Sequence, residues 1–306
     1  MKVTVIGAAG WVGMSAAFQV AATRLADEIV LIDARENLVE HHAMDLSTAV
    51  SALDVRVRAG GYEDTVGTDL VINAGGLHGD ITADRTDMLI KNTRTVRDTA
   101  LRLQEYCPGA IVITAVNPVD ALNYAFWLTG GFERRQLVGY SLNDTLRFRQ
   151  FVARLKQVPV SRVAALAIGE HGFTQVQLFS SVRIDGSSVS FSEEEKQSMR
   201  EAYRAFFEKL EGLQAGRTTG WTCAVGLAAL VRAVINDNGE MLAGSAILEG
   251  EYGQQGLSMG VPIRLGRTGI REIVQWELAP DEQEALRRSA DQLKMNMKMV
   301  EEALRG

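Results

Sequence analysis

Apolar residues recur in two rhythms along the first half of this chain. Short, nearly continuous runs stand at Val3-Thr4-Val5-Ile6, Ile29-Val30-Leu31-Ile32, Val55-Arg56-Val57, Leu70-Val71-Ile72-Asn73-Ala74, Ala110-Ile111-Val112-Ile113-Thr114-Ala115-Val116 and Leu137-Val138-Gly139. They are too short for helices, and all six read as strands; most of them lack the alternation of a strand with one wet face. Between them, the stretches 15–20, 35–46 and 85–106 predict helices. Strands alternating with helical crossovers predict an α/β protein with a doubly wound parallel sheet, whose ligands bind at the carboxyl ends of the strands.

Near residue 141 the rhythm changes to a mixed α+β pattern. A helix continues over 148–156, and strands are predicted at 163–168 and 174–184. Asp185-Gly186 reads as a hairpin turn, and Ser192-Glu193-Glu194-Glu195 as a capping box that opens a helix. An alanine-rich helix over 222–235 is apolar on several sides and therefore buried. Strands at 242–249, 257–265 and 270–278 precede a C-terminal helix that starts at Pro280. The change of pattern predicts two domains, 1–140 for cofactor binding and 141–306 for the substrate.

Composition narrows the function. Of 306 residues, 46% are hydrophobic and 23% charged, the profile of a globular protein with a full core. A net charge of −6 argues against a nucleic-acid partner. No apolar run approaches the roughly 18 residues that span a bilayer, so no membrane partner is expected. The first strand begins almost at Met1 and leaves no room for a signal peptide. Cys107 and Cys223 show neither metal-ligand spacing nor a disulfide framework. A cytoplasmic protein without a structural metal is the expectation.

The first strand runs straight into Gly7-Ala8-Ala9-Gly10-Trp11-Val12-Gly13, and the second strand ends in Asp33. Strand, glycine turn, helix, strand and acidic residue make the dinucleotide-binding arrangement of the Rossmann fold. Gly7 allows the sharp turn, Gly10 admits a pyrophosphate close to the backbone, and Gly13 lets the helix pack on the sheet. Asp33 would bind the ribose hydroxyls and repel a 2′-phosphate, which favours NAD. Arg35 leaves NADP open. The adjacent His41 and His42 lie in a polar stretch and read as surface residues. A different histidine, in Ile168-Gly169-Glu170-His171-Gly172, sits in a glycine-flanked turn after a strand, a natural place for a proton donor and acceptor.

Taken in order, several motifs give the chain its resemblance. They are the glycine turn, Asp33, Arg85 seven residues before Asn92, Val116-Asn117-Pro118-Val119-Asp120, Asn143-Asp144-Thr145-Leu146-Arg147-Phe148-Arg149, and Gly169-Glu170-His171-Gly172. Together they resemble the L-lactate/L-malate dehydrogenase family over essentially the whole chain. The resemblance implies NAD-dependent interconversion of an L-2-hydroxy acid and its 2-oxo acid. In that scheme His171 is the proton carrier, Asp144 orients it, and Arg85 closes over the site and polarises the carbonyl. Arg147 grips the substrate carboxylate and Asn117 binds the substrate oxygen. The cofactor contacts would be Gly7, Gly10, Trp11, Val12, Gly13, Asp33, Ala74, Gly75, Asn92, Val116 and Asn117. A homodimer or homotetramer is also implied. Each piece has a plainer reading too: Asp144 and Arg147 as a helix-surface ion pair, Arg85 as a solvated helix residue, Asn117 as a turn former.

Two positions depart from the family pattern. Six residues before Arg85, where the family selects its substrate with arginine or glutamine, this chain has Gly79. Five residues before Gly226, where a small hydroxylated residue is usual, it has Trp221. Both predict a side-chain preference unlike that for malate or lactate. Two alternatives remain: a malate dehydrogenase in which Arg217 supplies the missing charge, and a catalytically idle NAD-binding protein.

Overall fold

A run of β-branched residues with no polar face is stable only between two covered sides, and this dictates where the short apolar runs go. The computed structural model describes residues 1–77 and 85–305, without the side chains of Arg85 and Thr86. In chain order the first half gives β1 (Lys2–Ile6), α1 (Trp11–Ala22), β2 (Glu28–Ile32), α2 (Glu36–Ala49), β3 (Arg56–Ala59), β4 (Leu70–Asn73), α3 (Arg85–Tyr106), β5 (Ile111–Thr114), α4 (Val119–Gly130) and β6 (Leu137–Gly139). The six strands pair in parallel in the order β6-β5-β4-β1-β2-β3. Five of them, β1, β2, β4, β5 and β6, have almost wholly buried side chains. The outermost, β3, is charged: Arg56 and Arg58 pair with Glu28, and Arg58 also with Asp64.

The second half gives α5 (Leu142–Leu155), β7 (Val163–Ala164), β8 (Ala167–Ile168), β9 (Val176–Gln177), β10 (Arg183–Ile184), β11 (Ser187–Ser188), α6 (Glu193–Gly212), α7 (Gly220–Asn236), β12 (Met241–Glu249), β13 (Gln255–Gly266), β14 (Gly269–Ile273) and α8 (Pro280–Arg305). The last three strands form an antiparallel meander that joins the first sheet. β12 meets β6 at one residue pair, Ser245 with Gly139, and the result is a nine-stranded sheet. Gly139 is the reason the joint can close. A Cβ there would lie 2.6 Å from Ser245 Cβ and 2.9 Å from Val119 Cγ1. The rim strand β14 is charged like β3, with Arg271 paired to Asp237 and Glu272 to Arg264.

Several boundaries differ from the sequence expectation, each for a local reason. The strands expected at 163–168 and 174–184 break into β7 to β10 around the glycine turn and a 3₁₀ turn at Phe179–Ser181. The strand expected to reach 278 ends at Ile273, because the Tyr252 hydroxyl takes over beyond it. That hydroxyl donates to the Val274 carbonyl at 2.9 Å and accepts from the Trp276 N–H at 3.0 Å. α1 starts at Trp11, inside the glycine turn, earlier than the expected 15. The capping box forms as read: Ser192 Oγ accepts from the Glu195 N–H, and the Glu195 carboxylate from the Ser192 N–H. A smaller core built on Phe148, Phe179 and Met199 lies under α5 and α6, apart from the main one. Among the described residues, no helix is long and apolar enough to cross a membrane.

Candidate active site

The glycine turn after β1 has little freedom to vary. Gly7 has φ +77°, and a Cβ on it would stand 2.5 Å from the Ala74 carbonyl and the Gly75 nitrogen at the end of β4. Gly13 is closed by the Gly7 backbone. Gly10 is different. A Cβ there would press on Gly7 O at 3.2 Å and otherwise face a cradle bordered by the Arg35 guanidinium. Gly10 caps α1 without a side-chain hydrogen bond, and the first turn of α1 carries no acidic residue. The free N–H groups and positive dipole end at Trp11, Val12 and Gly13 therefore suit a pyrophosphate.

Asp33, at the end of β2, is fastened beside this turn. Its Oδ2 accepts the Ala9 N–H at 3.0 Å, and its Oδ1 accepts the Arg35 N–H at 3.0 Å and Arg35 Nε at 3.1 Å. Burial opposes ionisation, but these hydrogen bonds and the Arg35 charge outweigh it and hold the carboxyl below its usual range. The turn has a further support: His42 Nδ1 lies 3.2 Å from Ala8 O, so this half-buried histidine braces the glycine turn, whereas His41 is exposed as expected.

On the opposite wall, α3 carries Asn92, buried at 2% exposure. Its Oδ1 accepts the Leu77 N–H at 2.7 Å, and its Nδ2 donates to Leu77 O at 3.3 Å and Asn117 O at 3.2 Å. It thus ties the strand ends after β4 and β5, with buried Ala74 and Val116 and half-buried Gly75 beside them. Gly79 and the Arg85 side chain lie outside the described residues; Arg85 itself opens α3.

The histidine turn is held by three elements far apart in the chain. Gly169 and Gly260 of β13 exchange backbone hydrogen bonds at 2.8 and 3.0 Å. The Glu170 N–H donates to Ser289 Oγ of α8 at 2.7 Å. The His171 N–H donates to Asp120 Oδ2 of α4 at 2.8 Å. So fixed, the imidazole meets α5: His171 Nδ1 lies 2.7 Å from Asp144 Oδ2. Burial works against the imidazolium, yet the charge and hydrogen bond of Asp144, then the charge of Asp120, outweigh it and raise the histidine above its usual 6.5. With Nδ1 occupied, Nε2 is the nitrogen left for exchange.

Arg147 lies one turn along α5 from Asp144. Its guanidinium donates to Asp144 Oδ1 at 3.4 Å and to Thr219 Oγ1 at 3.2 Å, and covers the Phe207 ring of α6 at 4.9 Å. Both partners are nearly buried, with Arg147 10% and Asp144 6% exposed in their side chains. The plainer reading of a surface ion pair does not describe them.

Trp221 departs from its expected place. It is 67% exposed, and its ring packs edge-on to Trp11 at 4.6 Å. Arg217 also lies over the Trp11 ring, at 5.2 Å. Both residues gather at the glycine turn, while the hydroxyl beside Arg147 comes from Thr219, two residues earlier. Counting back from Gly226 chose the wrong residue of this helix start.

Three contributors were not singled out from sequence. The Tyr203 hydroxyl of α6 lies 3.3 Å from Asp144 Oδ1 and 2.9 Å from Gln175 Oε1. Thr219 carried no local signal. Asp120 stood inside a quoted motif without a role. Among the described residues no cluster of His, Cys, Asp and Glu could hold a metal ion.

Comparison with known proteins places this geometry in context. The family model described as lactate/malate dehydrogenase, NAD binding domain, matches residues 1–139, and the model for the lactate/malate dehydrogenase alpha/beta C-terminal domain matches 142–304. The malate dehydrogenase of Haloarcula marismortui is 36% identical over 296 residues, covering 95% of this chain and 97% of that protein. The malate dehydrogenase of Bacillus subtilis is 32% identical over 307 residues, covering 98% of each. Among solved structures, a minor L-lactate dehydrogenase from Enterococcus mundtii superposes with a TM-score of 0.91 at 28% identity, over 98% of both chains. The malate dehydrogenase from Aeropyrum pernix gives 0.90 at 27% identity, over 97% of both.

Proposed function

The chain belongs to the lactate/malate dehydrogenase family and is an NAD-dependent 2-hydroxy acid dehydrogenase, and from that premise we propose that its preferred substrate is neither malate nor lactate. The reaction interconverts an L-2-hydroxy acid and its 2-oxo acid. When bound, NAD would supply the hydride chemistry, as acceptor in oxidation and, reduced, as donor in the other direction. The turn at Gly7, Gly10 and Gly13 with Asp33 would hold the dinucleotide, and Ala74, Gly75, Asn92, Val116 and Asn117 would border its nicotinamide end.

In this reading His171 carries the proton at Nε2, giving it to the carbonyl oxygen in reduction and taking it back in oxidation. The 2.7 Å contact with Asp144 supports that role, because it fixes the ring and favours its charged form. Arg147 holds the substrate carboxylate with its planar fork. Its stacking on Phe207 and its bond to Thr219 limit the directions in which that fork can point. Arg85 closes the site from the start of α3 and polarises the carbonyl. Asn117 binds the substrate oxygen. The cofactor half is residues 1–140 and the substrate half 141–306, working as a homodimer or homotetramer.

One observation carries the substrate proposal: the segment Leu77-His78-Gly79-Asp80-Ile81-Thr82-Ala83-Asp84 has no arginine and two acidic residues. A second substrate carboxylate would meet no fixed cation there and some repulsion. The position of Trp221 removes it from this argument. The second reading, a malate enzyme, is favoured by the names of the relatives in Haloarcula marismortui and Bacillus subtilis. Arg217, engaged with the Trp11 ring, is its candidate for the distal carboxylate. Comparing kcat/KM for oxaloacetate, pyruvate and bulkier 2-oxo acids decides between them. A bulkier acid should lead by about tenfold or more, equivalent to ~1.4 kcal/mol. A large preference for oxaloacetate would establish the malate reading instead.

A further inference from the structure

Beneath the histidine turn lies a buried polar cluster to which Asp120 belongs, and which has been given no part in the reaction beyond its contact with His171. Asp120, Asn123, Ser245 and Ser258 are all buried, none more than 2% exposed. Ser245 Oγ donates to Asp120 Oδ1 and lies 2.8 Å from Ser258 Oγ. Asn123 Nδ2 donates to Ser258 Oγ at 3.0 Å and to the Ser245 carbonyl at 3.3 Å. The other carboxylate oxygen of Asp120 accepts the His171 N–H.

Holding one backbone N–H does not need an acid. A carbonyl or an asparagine would do so without burying a charge, which costs several kcal/mol when uncompensated. Both donors to Asp120 are neutral, and among the described residues no lysine or arginine pairs with it. The cation within its reach is the imidazolium of His171. We propose that Asp120 is a positioning residue for the proton carrier: it anchors the His171 backbone and supplies a second negative charge, behind Asp144, that keeps the imidazolium available. This deepens the reading of His171 as the proton carrier and rests on it.

The other groups facing the imidazole are accounted for. Asp144 lies on α5 and favours the charged form, and Arg147, also on α5, opposes it. Tyr203 of α6 reaches the ring only through Asp144. Glu170, next in the loop, opposes ionisation of Asp120, as burial does more strongly. The Ser245 hydroxyl and the His171 N–H favour ionisation, and the carboxyl settles at about 6. The charges of Asp120 and His171 each favour the ionised form of the other, so a change in one is felt by the other.

The test is the pH profile of kcat/KM for 2-oxo acid reduction by the NADH-loaded enzyme. It is measured for the wild type, Asp120→Asn, Ser245→Ala and His171→Asn. Asparagine can still accept the backbone N–H but carries no charge. Asp120→Asn should move the falling limb of the profile down by roughly half to one pH unit, with the loss in kcat and little change in KM. Ser245→Ala makes Asp120 easier to protonate and should shift the limb the same way by less. Lower melting temperatures with the limb unmoved in the folded variants would overturn the proposal, reducing Asp120 to a packing role. If Asp120→Asn does not fold, Ser245→Ala decides alone. His171→Asn should be inactive; retained turnover would overturn the role of His171 and this proposal together, whereas an inactive His171→Asn beside an unmoved limb overturns Asp120 only.

Discussion

His171 and Asp144 lie 27 positions apart in sequence and 2.7 Å apart in space, and the consequence is a direction of proton flow that pH controls. The folded histidine is raised above 6.5, so its charged form outlasts that of a free imidazole. Reduction needs the imidazolium and should stay flat in acid, falling only as pH rises through the raised value. Oxidation needs the neutral ring and should rise across the same window. The same sign holds for folding: this histidine's contribution is complete below 6.5 and lost as pH climbs through the folded value. Profiles of kcat/KM in both directions check this, and a governing group below 6.5 would contradict it. At this scale the sequence was legible wherever a residue type is chemically unusual, as with His171, Asp144 and Arg147. It was silent on Thr219 and Tyr203, whose parts come from contacts 72 and 59 residues distant. Trp221 shows the complementary error, since spacing on a helix start does not say which way a ring turns.

At the scale of elements, the three glycines of the first turn look alike in sequence and do different things in space. Gly7→Ala would put a Cβ against the end of β4 at positive φ, and should destabilise the fold by about 2 kcal/mol or more. Gly10→Ala asks only a few tenths of an ångström from its neighbour, and should leave the melting temperature nearly unchanged while weakening NADH binding about tenfold or more. Thermal melts and NADH titrations of the two variants separate these effects. Equal loss of stability in both would refute the distinction. The buried strands could be read from sequence because burial on two faces writes an unbroken apolar run. The short strands around His171 could not, because their ends are set by Gly260, Ser289 and Asp120 on other elements.

At the scale of the molecule, the change of rhythm near residue 141 marks a change of connection, and yet the sheet runs on across it through Ser245 and Gly139. No local pattern could announce that pairing, which joins residues 106 positions apart. The helices on the sheet leave large apolar side chains exposed: Phe18 on α1, Met44 on α2, Trp221 and Val225 on α7. α1 packs against α7, which puts several of them on neighbouring helices. This favours the proposed homodimer or homotetramer. Sedimentation at micromolar concentration should return two or four times the mass of the chain, and a single-chain mass would rule it out.

The two rims of the nine-stranded sheet bear on a different hazard. An outermost strand is an open template onto which a foreign strand can crystallise, and sheet extension of this kind leads to fibrils. Here β3 presents Arg56 and Arg58 engaged with Glu28 and Asp64, and β14 presents Arg271 and Glu272 engaged with Asp237 and Arg264. Charged side chains along a rim make it a poor template for a foreign apolar strand. Charge on both rims thus disfavours growth of the sheet by addition of further strands.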